Sequence, residues 1–439
     1  MAAEAFFYDL DERPPLWRSL VYGLQWALLM FPSVTILAAI AAEALQLPGD
    51  ARVAFFQRMF LLSGSATALQ TLVGHRYPIQ EGPSTALLLT FVVLAPQGLG
   101  VIQGGMLCGG LLLFAIGWLG WMGRLGRFFT PNVVGVILLL IALTLIPHVL
   151  PRLLGMSPAH PGGEGSVFAA SLLLVLLIAV LASRLRGFPR TAAIMLGMVA
   201  GSLGFWAWGR LDLAPVGAAT WLSPPESLWA GTPRLSPSGV LSCLLAYLAV
   251  TVNAVGSIQG VASVVGVKDV AARTDRGLAV TGLAGIAAAG LGVVGTVGFS
   301  TSPGVILVTR VASRYALTMC GGILIVAGLA PRLGALLAAV PAAVVGAALC
   351  VVLASQIGAA INTISAGGAL GARDYLVVGL PVLLGTVVAA APARFFAGLP
   401  ALLGTVVGNG LVLGILLVLL LEHVLLARIV HEKSVNHPG

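Results

Sequence analysis

The sequence predicts an all-α polytopic membrane protein, and three observations predict that fold class. Hydrophobic residues make up 59% of the 439 residues and charged residues only 9%, whereas soluble domains carry about 25% charged residues. Apolar runs of about 20 residues, long enough to cross a bilayer as a helix, recur along the whole chain. The 56 glycines agree with this class, because small residues allow membrane helices to approach one another closely.

The apolar runs give about fourteen candidate transmembrane segments of about 20 residues, in two sets of about seven. The first set lies at 17–46, 54–73, 83–97, 99–122, 130–150, 167–185 and 190–210. The second set lies at 239–266, 277–297, 300–313, 315–331, 335–358, 374–392 and 399–428. Residues 211–238 between them are polar and rich in Pro and Ser, so we predict a connecting loop there.

The distribution of Lys and Arg orients these spans. Sixteen of the 23 Lys and Arg residues fall on the side that carries both termini, and seven fall on the other side. Cytoplasmic loops carry an excess of Lys and Arg, so we predict cytoplasmic termini and a location in the bacterial inner (plasma) membrane. The net charge of +8 is then a consequence of topology, and we predict no nucleic-acid partner.

The sequence indicates neither a cofactor nor a catalytic centre. The four cysteines lie within apolar runs at unrelated spacings, which is the pattern of neither a metal site nor a disulfide framework. No pairing of a nucleophile with a base stands out along the chain. We therefore predict no metal, no cofactor and no enzymatic activity.

Two of the spans, the third and the tenth, are too short and too polar for ordinary membrane helices. They hold the same rank in the two sets and begin at residues 81–86 (EGPSTA) and 300–304 (STSPG). Each resembles a helix start with a hydroxyl or Gly cap and Pro in the first turn. Interrupted segments in corresponding positions indicate the binding site of a transporter built from inverted repeats. The alternative is a Ser-Pro kink in a continuous helix.

We predict that each segment starts a half-helix near the bilayer midplane, where irregular backbone is tolerated only if it lines a cavity or is buried in protein. Free N–H groups at such helix starts can bind an acceptor or an anionic group. The substrate is expected between the two starts. The residues expected to contact it there are Ser84, Thr85, Ala86, Thr301, Ser302 and Gly304.

Five stretches of the chain resemble one family of transporters. They are YGLQWALLMF (22–31), QTLVGHRYPIQEGPSTA (70–86), RFFTPNVVGVILLLIALTL (127–145), GVILVTRVASR (304–314) and LLGTVVGNGLVLGILLVLLL (402–421). They resemble the nucleobase–ascorbate transporters, also called the nucleobase–cation symporter-2 family, which includes uracil and xanthine permeases. The stretch at 304–314 is the most specific match, and the resemblance covers almost the whole chain.

The resemblance implies seven-plus-seven inverted repeats, with a core domain of spans 1–4 and 8–11 and a gate domain of spans 5–7 and 12–14. It also implies short strands before the half-helices in spans 3 and 10, a substrate held between core and gate, an elevator-type alternating-access motion and a homodimer. The expected boundaries are 1–16 for a cytoplasmic N-terminal segment, 17–122 and 239–332 for the core, 123–238 and 333–428 for the gate with its connecting loop, and 429–439 for a cytoplasmic tail.

The chain departs from the family pattern at the binding site. The glutamate of the family's Glu-His-x-Gly motif in span 8 corresponds to Asn253 here. The Glu-Asn-x-Gly or Gln-Asn-x-Gly motif of span 10 corresponds to residues 301–304 (TSPG). The histidine of span 1 corresponds to Trp26, and the aromatic residue of span 3 corresponds to Thr85.

These positions supply the remaining candidate substrate contacts. The Asn253 amide offers both an acceptor and donors, and its match to the family glutamate favours substrate contact over the alternative of helix–helix adhesion. Ser257, one turn later on the same helix face, is a candidate supporting residue. Trp26 either packs in the core or stacks on a flat ligand.

The acidic residues bear on ion coupling. None of the fifteen lies in the middle of a predicted span, and Glu81 comes closest, just before the third-span half-helix. Proton symport needs a titrating group in the site, so we predict weak or altered proton coupling. Glu81 is the candidate coupling residue if the half-helix starts at the midplane.

The leading prediction is a secondary transporter that moves a small nucleobase-like substrate, a purine or a pyrimidine, across the lipid bilayer. The alternative is an anion transporter or exchanger of the sulfate-permease type, which shares this architecture and uses facing half-helix N-termini without a carboxylate. A receptor or an enzyme has less support, because no stretch resembles a soluble domain.

Overall fold

The computed structural model describes residues 6–267, 269–396, 398–399, 403–404 and 407–426, and most of this part is helical. The elements before the connecting loop's end are α1 (Leu16–Ala44), α2 (Gly49–Leu72), β1 (Glu81–Pro83), α3 (Thr85–Leu94), α4 (Leu99–Trp118), α5 (Met122–Leu125), α6 (Pro131–Leu143), α7 (Ile146–Leu153), α8 (Gly165–Arg184), α9 (Phe188–Thr191), α10 (Ala193–Ala207) and α11 (Ala214–Ala218). The elements after it are α12 (Pro237–Val265), α13 (Val270–Leu291), β2 (Thr296–Gly298), α14 (Ser302–Thr309), α15 (Arg314–Gly328), α16 (Pro331–Ala338), α17 (Ala342–Ser365), α18 (Ala372–Ala390), α19 (Ala393–Phe396) and α20 (Gly410–Leu420). The predicted tail at 429–439 lies outside the described residues.

The helices confirm a polytopic membrane protein. Within the described residues, seven spans are long and apolar enough to cross a membrane, formed by α1, α4, α6 with α7, α8, α12, α17 and α18. The pair α15 and α16, bent by 85° at their junction, would be an eighth if it counts as one span. The helices α3 and α10 are shorter apolar helices, as is α20. The count of fourteen spans therefore stays a prediction.

Two predicted spans have different boundaries in the structure. The span predicted at 277–297 is α13, which starts earlier and ends before Gly292. Gly292 has a φ of 62°, a left-handed conformation that ends helices and suits a residue without a Cβ. The span predicted at 335–358 begins instead after Pro341, because α16 forms a separate short helix before it.

The helices pack mainly as two groups. In one group α4 packs on α12 and α13, while α2 and α1 pack on α15. In the other group α17 packs on α6, α7 and α8, and α18 packs on α20 and α6. Glycines allow the closest approaches: a Cβ on Gly64 of α2 would lie 2.6 Å from the carbonyl oxygen of Gly321 on α15. Side chains there would push the helices apart.

Candidate substrate site at two short helices

Two short strands bring the starts of two short helices together. β1 and β2 pair antiparallel, with Glu81 opposite Gly298. The Ser84 N–H donates to the Gly295 carbonyl oxygen over 2.8 Å, which extends the pairing to the start of α3. One residue separates β1 from α3, and three residues separate β2 from α14. The polar segments at 81–86 and 300–304 therefore meet in space, although they are far apart in sequence.

The start of α3 carries free first-turn amides. Ser84 is the N-cap, and its Oγ accepts a hydrogen bond from the Leu87 N–H at 3.4 Å. The Thr85 and Ala86 N–H groups lie in the first turn, which has no acceptor within the helix; the Ala86 side chain itself is buried. The sequence analysis predicted Pro83 in the first turn of the helix. In the structure Pro83 is instead the last residue of β1. Proline has no N–H to donate to a neighbouring strand. It is tolerated in β1 because each strand of a two-stranded pair is an edge strand.

The start of α14 carries fewer free donors. Thr301 is the N-cap and Pro303 lies in the first turn, as predicted. The Ser302 N–H already donates to the Phe299 carbonyl oxygen over 3.1 Å, and proline has no N–H. Gly304 therefore supplies the remaining first-turn N–H group. The start of α14 offers fewer N–H donors to an anionic group than the start of α3.

The hydroxyl residues at these starts differ in burial. Ser302 is 0% exposed, and its Oγ accepts a hydrogen bond from the Gln80 N–H at 3.2 Å. Ser302 thus holds α14 against the segment that leads into β1. Thr301 and Gly304 are exposed, and Thr85 is half-buried, so these three positions are open to a ligand.

Asn253 and Ser257 lie one turn apart on α12. The Asn253 side chain is half-buried, and within the described residues it makes no hydrogen bond of the kind that would join two helices. The Ser257 hydroxyl is buried and lies 2.8 Å from the Asn253 carbonyl oxygen and 2.8 Å from the Gly298 carbonyl oxygen. Ser257 therefore connects α12 to β2 one helical turn after Asn253.

Trp26 and two residues that the sequence analysis did not select complete the surroundings. Trp26 is only 2% exposed, which favours packing over stacking on a ligand. Gln80 donates from Nε2 to the Trp26 carbonyl oxygen over 2.5 Å, so it ties α1 to the β1 segment. Phe299 is half-buried, and its ring lies against Gly82. An amide directly before Glu81 and an aromatic residue directly before the hydroxyl cluster were the available sequence signals.

Glu81 lies on β1 and is 1% exposed. Its Oε1 is 3.7 Å from Nε2 of His75, which is equally buried. Neither Glu81 Oε2 nor His75 Nε2 has a hydrogen-bond partner in the described part of the chain. The predicted coupling residue is therefore a buried carboxyl group beside an imidazole, close to the strand pair.

A separate apolar cleft of about 510 Å³ lies between α4, α12 and the C-terminal end of α20. Tyr247, Leu248 and Leu419 are among its lining residues, and none of the predicted site residues lines it. The described residues contain no cluster of three or more His, Cys, Asp or Glu side chains that could hold a metal ion.

The chain is similar to known proteins in family, sequence and fold. Residues 18–394 match the family model Xan_ur_permease, described as "Permease family". Uric acid permease PucK of Bacillus subtilis (strain 168) is 27% identical over 418 residues, which cover 92% of this chain and 94% of that protein. Nucleobase transporter PlUacP of Paenibacillus larvae subsp. larvae is 27% identical over 412 residues, covering 92% of this chain and 93% of that protein.

Among solved structures, the murine Slc26a9 anion transporter in the inward-facing state matches with a TM-score of 0.65 at 13% identity. The match covers 93% of this chain and 68% of that chain. At this identity the likeness concerns the fold alone.

Proposed function

Because the chain belongs to the Xan_ur_permease family, as its resemblance to the nucleobase–ascorbate transporters predicted, we propose that it is a secondary transporter of nucleobase-like substrates. It is an integral membrane protein. Its relatives are named permeases and transporters, which are not enzymes. The names of those relatives support purines and related bases as the substrate class.

The observation that carries the proposal is the half-buried amide of Asn253 on α12, one helical turn from the Ser257 hydroxyl that contacts β2. A nucleobase presents ring N–H donors and carbonyl acceptors along one edge, and an amide can match both. The half-buried Asn253 side chain is free to do so. The amides of Thr85, Ala86 and Gly304 add donors for a ring carbonyl oxygen, and the half-buried Phe299 ring adds a flat apolar surface.

The packing supports an inverted repeat. Two related halves would place each helix in the same position as the helix seven spans later. The contact between α4 and α13 then corresponds to the contact between α15 and α2, and the contact between α1 and α15 corresponds to that between α12 and α4. All four contacts are present. In the other group, the contact between α6 and α17 corresponds to itself, because these two helices are seven spans apart. The contact between α8 and α10 corresponds to the contact between α18 and α20. A contact pattern that maps onto itself is what two related halves of opposite orientation would give.

The same two groups support a core domain at 17–122 and 239–332 and a gate domain at 123–238 and 333–428. In this proposal β1 with α3 and β2 with α14 are the strand-preceded half-helices of the core. The core moves against the gate in an elevator-type alternating-access cycle, with both termini in the cytoplasm and the chain in the inner membrane. Since Asn253 and Thr301 stand where the family has carboxylates, proton coupling is weak or altered.

Anion transport is the second candidate function, because the fold resembles that of an anion transporter. Facing helix starts can hold an anion without a carboxylate. The start of α14 argues against it, because the Ser302 amide is already engaged and Pro303 has none. A site with so few donors on one side fits a neutral base better than a charged oxyanion.

Uptake into proteoliposomes separates the two functions. The purified protein is reconstituted and offered radiolabelled urate, xanthine and uracil, and in parallel bicarbonate, sulfate and chloride. We expect saturable uptake of at least one base, inhibited by the unlabelled compound. The same base at 100 times its dissociation constant should stabilise the detergent-solubilised protein by about 2.7 kcal/mol. Uptake of anions without uptake of any base would establish the second function instead.

A further inference from the structure

We propose that Glu81 and His75 form a proton-binding site that is coupled to occupancy of the substrate site through Gly298 and Ser257. The coupling rests on the proposed transport function, for which it supplies the ion site that Asn253 and Thr301 cannot provide. Four observations carry it: the burial of the pair, the tautomer of His75, the charges around the pair, and its hydrogen-bonded connection to α12.

The burial of the pair makes a permanent charge costly. Both side chains are about 1% exposed, and the Glu81 carboxyl has one oxygen without a partner. An ionised carboxylate held without full hydrogen bonding away from water is strongly destabilised. Buried carboxyl groups that serve only stability are normally paired with a cation, as the buried Asp374 is with Arg373. Glu81 instead faces an imidazole at 3.7 Å.

The tautomer of His75 identifies which group takes the proton. The Tyr77 N–H donates to His75 Nδ1 over 3.0 Å, so Nδ1 is an acceptor and the neutral ring carries its hydrogen on Nε2. That hydrogen faces Glu81 Oε1. Protonating the ring would break the bond from Tyr77. A proton from water therefore adds to a Glu81 carboxylate oxygen and gives a neutral carboxylic acid, while His75 stays neutral.

Burial disfavours the ionised form of the Glu81 carboxyl group, whereas a nearby positive charge favours it. Arg273 of α13 donates to the carbonyl oxygens of His75 (3.3 Å) and Arg76 (3.0 Å), and a nearby cation favours the carboxylate. On α2, Thr67 and Gln70 contact the same segment and are neutral. The titratable and charged groups of this region are His75, Arg76, Tyr77, Glu81, Asp269 and Arg273. Opposing influences of this kind let a carboxyl group exist in both protonation states.

The pair lies between the protein surface and the substrate site. Arg76, next to His75 in the chain, is exposed, so water comes within one residue of the imidazole. On the other side, Glu81 is paired across the strands with Gly298. A Cβ on Gly298 would lie 3.0 Å from Glu81 Oε1, so the glycine allows the carboxyl group to lie against β2.

The connection to the substrate site runs through that glycine. The Gly298 carbonyl oxygen accepts from the Ser257 hydroxyl, which also lies 2.8 Å from the Asn253 carbonyl oxygen. A change of charge on Glu81 acts on the strand that holds α12 and therefore on the position of Asn253. Coupling of this kind is reciprocal, so a bound base must also change the affinity of Glu81 for a proton.

The test compares Glu81→Gln with wild type in proteoliposomes, with radiolabelled urate as the probe. An inward gradient of about one pH unit supports up to about tenfold accumulation if one proton accompanies each urate. We expect wild type to accumulate urate, with loss of accumulation in the presence of a protonophore. Glu81→Gln should lose the accumulation and keep urate exchange. Glu43→Gln, which removes a carboxyl group from the Arg152 ion pair, is the control and should still accumulate urate.

Two results would overturn the coupling site while leaving transport intact: accumulation by Glu81→Gln, or urate exchange by wild type with no response to the proton gradient. Absence of urate exchange in wild type would count against the proposed function instead.

Infrared difference spectra over a pH titration test proton binding directly, without transport. The other acidic residues also give carboxylic acid bands, so the spectra are compared between variants. We expect one component of the carboxylic acid band to be present in wild type and Glu43→Gln and missing in Glu81→Gln, and identical bands in wild type and Glu81→Gln would exclude Glu81. If Glu81→Gln does not give a folded protein, His75→Gln is used in the accumulation test: removal of the imidazole beside the carboxyl group should reduce urate accumulation, and unchanged accumulation would count against the pair.

Discussion

At the scale of single residues, burial separates the side chains that can meet a substrate from those that hold the structure. Ser302 and Ser257 are buried and bonded to Gln80 and Gly298, whereas Thr301 is exposed and Asn253 half-buried. All four are polar residues in apolar surroundings, and their different burial depends on contacts that form only in the folded chain. We therefore propose Asn253 as the principal side chain for recognition.

Asn253→Ala should therefore abolish specific binding and leave the fold intact. Loss of one hydrogen-bonding side chain in a desolvated site costs about 1–3 kcal/mol, or about fivefold to more than a hundredfold in affinity. Ligand-induced thermal stabilisation by urate, xanthine or uracil measures the change. Gln259→Ala, an exposed amide on the same helix, should bind as wild type does. Unchanged affinity in Asn253→Ala would move the site elsewhere.

The ion pair of Glu164 and Arg210 gives a pH-dependent prediction outside the membrane. Glu164 Oε2 accepts from Arg210 Nη2 at 2.7 Å, and this bond lowers the pKa of Glu164 below its ordinary value of 4.5. A carboxyl group whose pKa is lower in the folded state stabilises it above the unfolded pKa, and this stabilisation is lost as pH falls through the folded pKa.

Glu164→Gln should accordingly lower the midpoint of thermal unfolding at about pH 7 and have no such effect at about pH 3. Melting curves in detergent at the two pH values measure it. Arg210→Gln removes the same bond from the other side and should behave alike. An equal loss at both pH values would mean that the pair contributes through packing and not through charge.

At the scale of elements, the β1–β2 pair decides the geometry of the site. Each strand has three residues, and a two-stranded pair of this size is not stable alone. It persists because side chains from the surrounding segments bond to it: Ser302 to Gln80, Thr67 to Glu81, and Ser257 to Gly298. The short helices α3 and α14 start from this anchor and are oriented by it.

Ser302→Ala should loosen this anchor. It leaves the buried Gln80 N–H without an acceptor, which costs about 1–3 kcal/mol. We expect a lower melting temperature and weaker binding of urate, xanthine or uracil. Thr301→Ala, next in the chain but exposed, should change stability by no more than about 0.5 kcal/mol. Similar melting temperatures for the two variants would show that the Ser302 bond does not hold the strand pair.

At the scale of the whole molecule, the two helix groups present different outer surfaces. Helices α8 and α18 of the second group expose many large apolar side chains, including Leu173, Leu176, Leu383 and Val387. In a membrane such surfaces contact lipid or a second protein chain. Exposed glycines on α17 and α18, Gly358 and Gly379, would allow a partner's helix to approach closely.

We expect a homodimer formed through this second group, at twice the 44.8 kDa of one chain. Native mass spectrometry in mild detergents and mass photometry in lipid nanodiscs measure the assembly. Gly379→Trp should shift the protein towards monomer, because a large side chain blocks close helix contact. Gly322→Trp on α15, in the first group, should not. Monomer alone in every detergent and in lipid would contradict the prediction.

Much of the fold followed from the sequence because it depends on local properties. The apolar runs predicted most helices within a few residues, since crossing a membrane requires a continuous apolar stretch. The two helix starts, predicted from a hydroxyl or Gly cap and a nearby proline, are likewise properties of short segments. Errors occurred where a single residue changed the backbone, as at Gly292, which ends α13, and at Pro83, which belongs to β1 and not to the first turn of α3.

The class of the protein, its family and the segments of the candidate site could all be predicted from the sequence. Which side chains at that site have hydrogen-bond partners depends on how distant segments pack together. Ser302 is committed to Gln80, 222 residues away, and Ser257 to Gly298, 41 residues away. Glu81 reaches His75 but no full hydrogen-bond partner. Hydrogen bonding and burial depend on segments that meet only in the folded chain, so no local pattern could have ranked these residues.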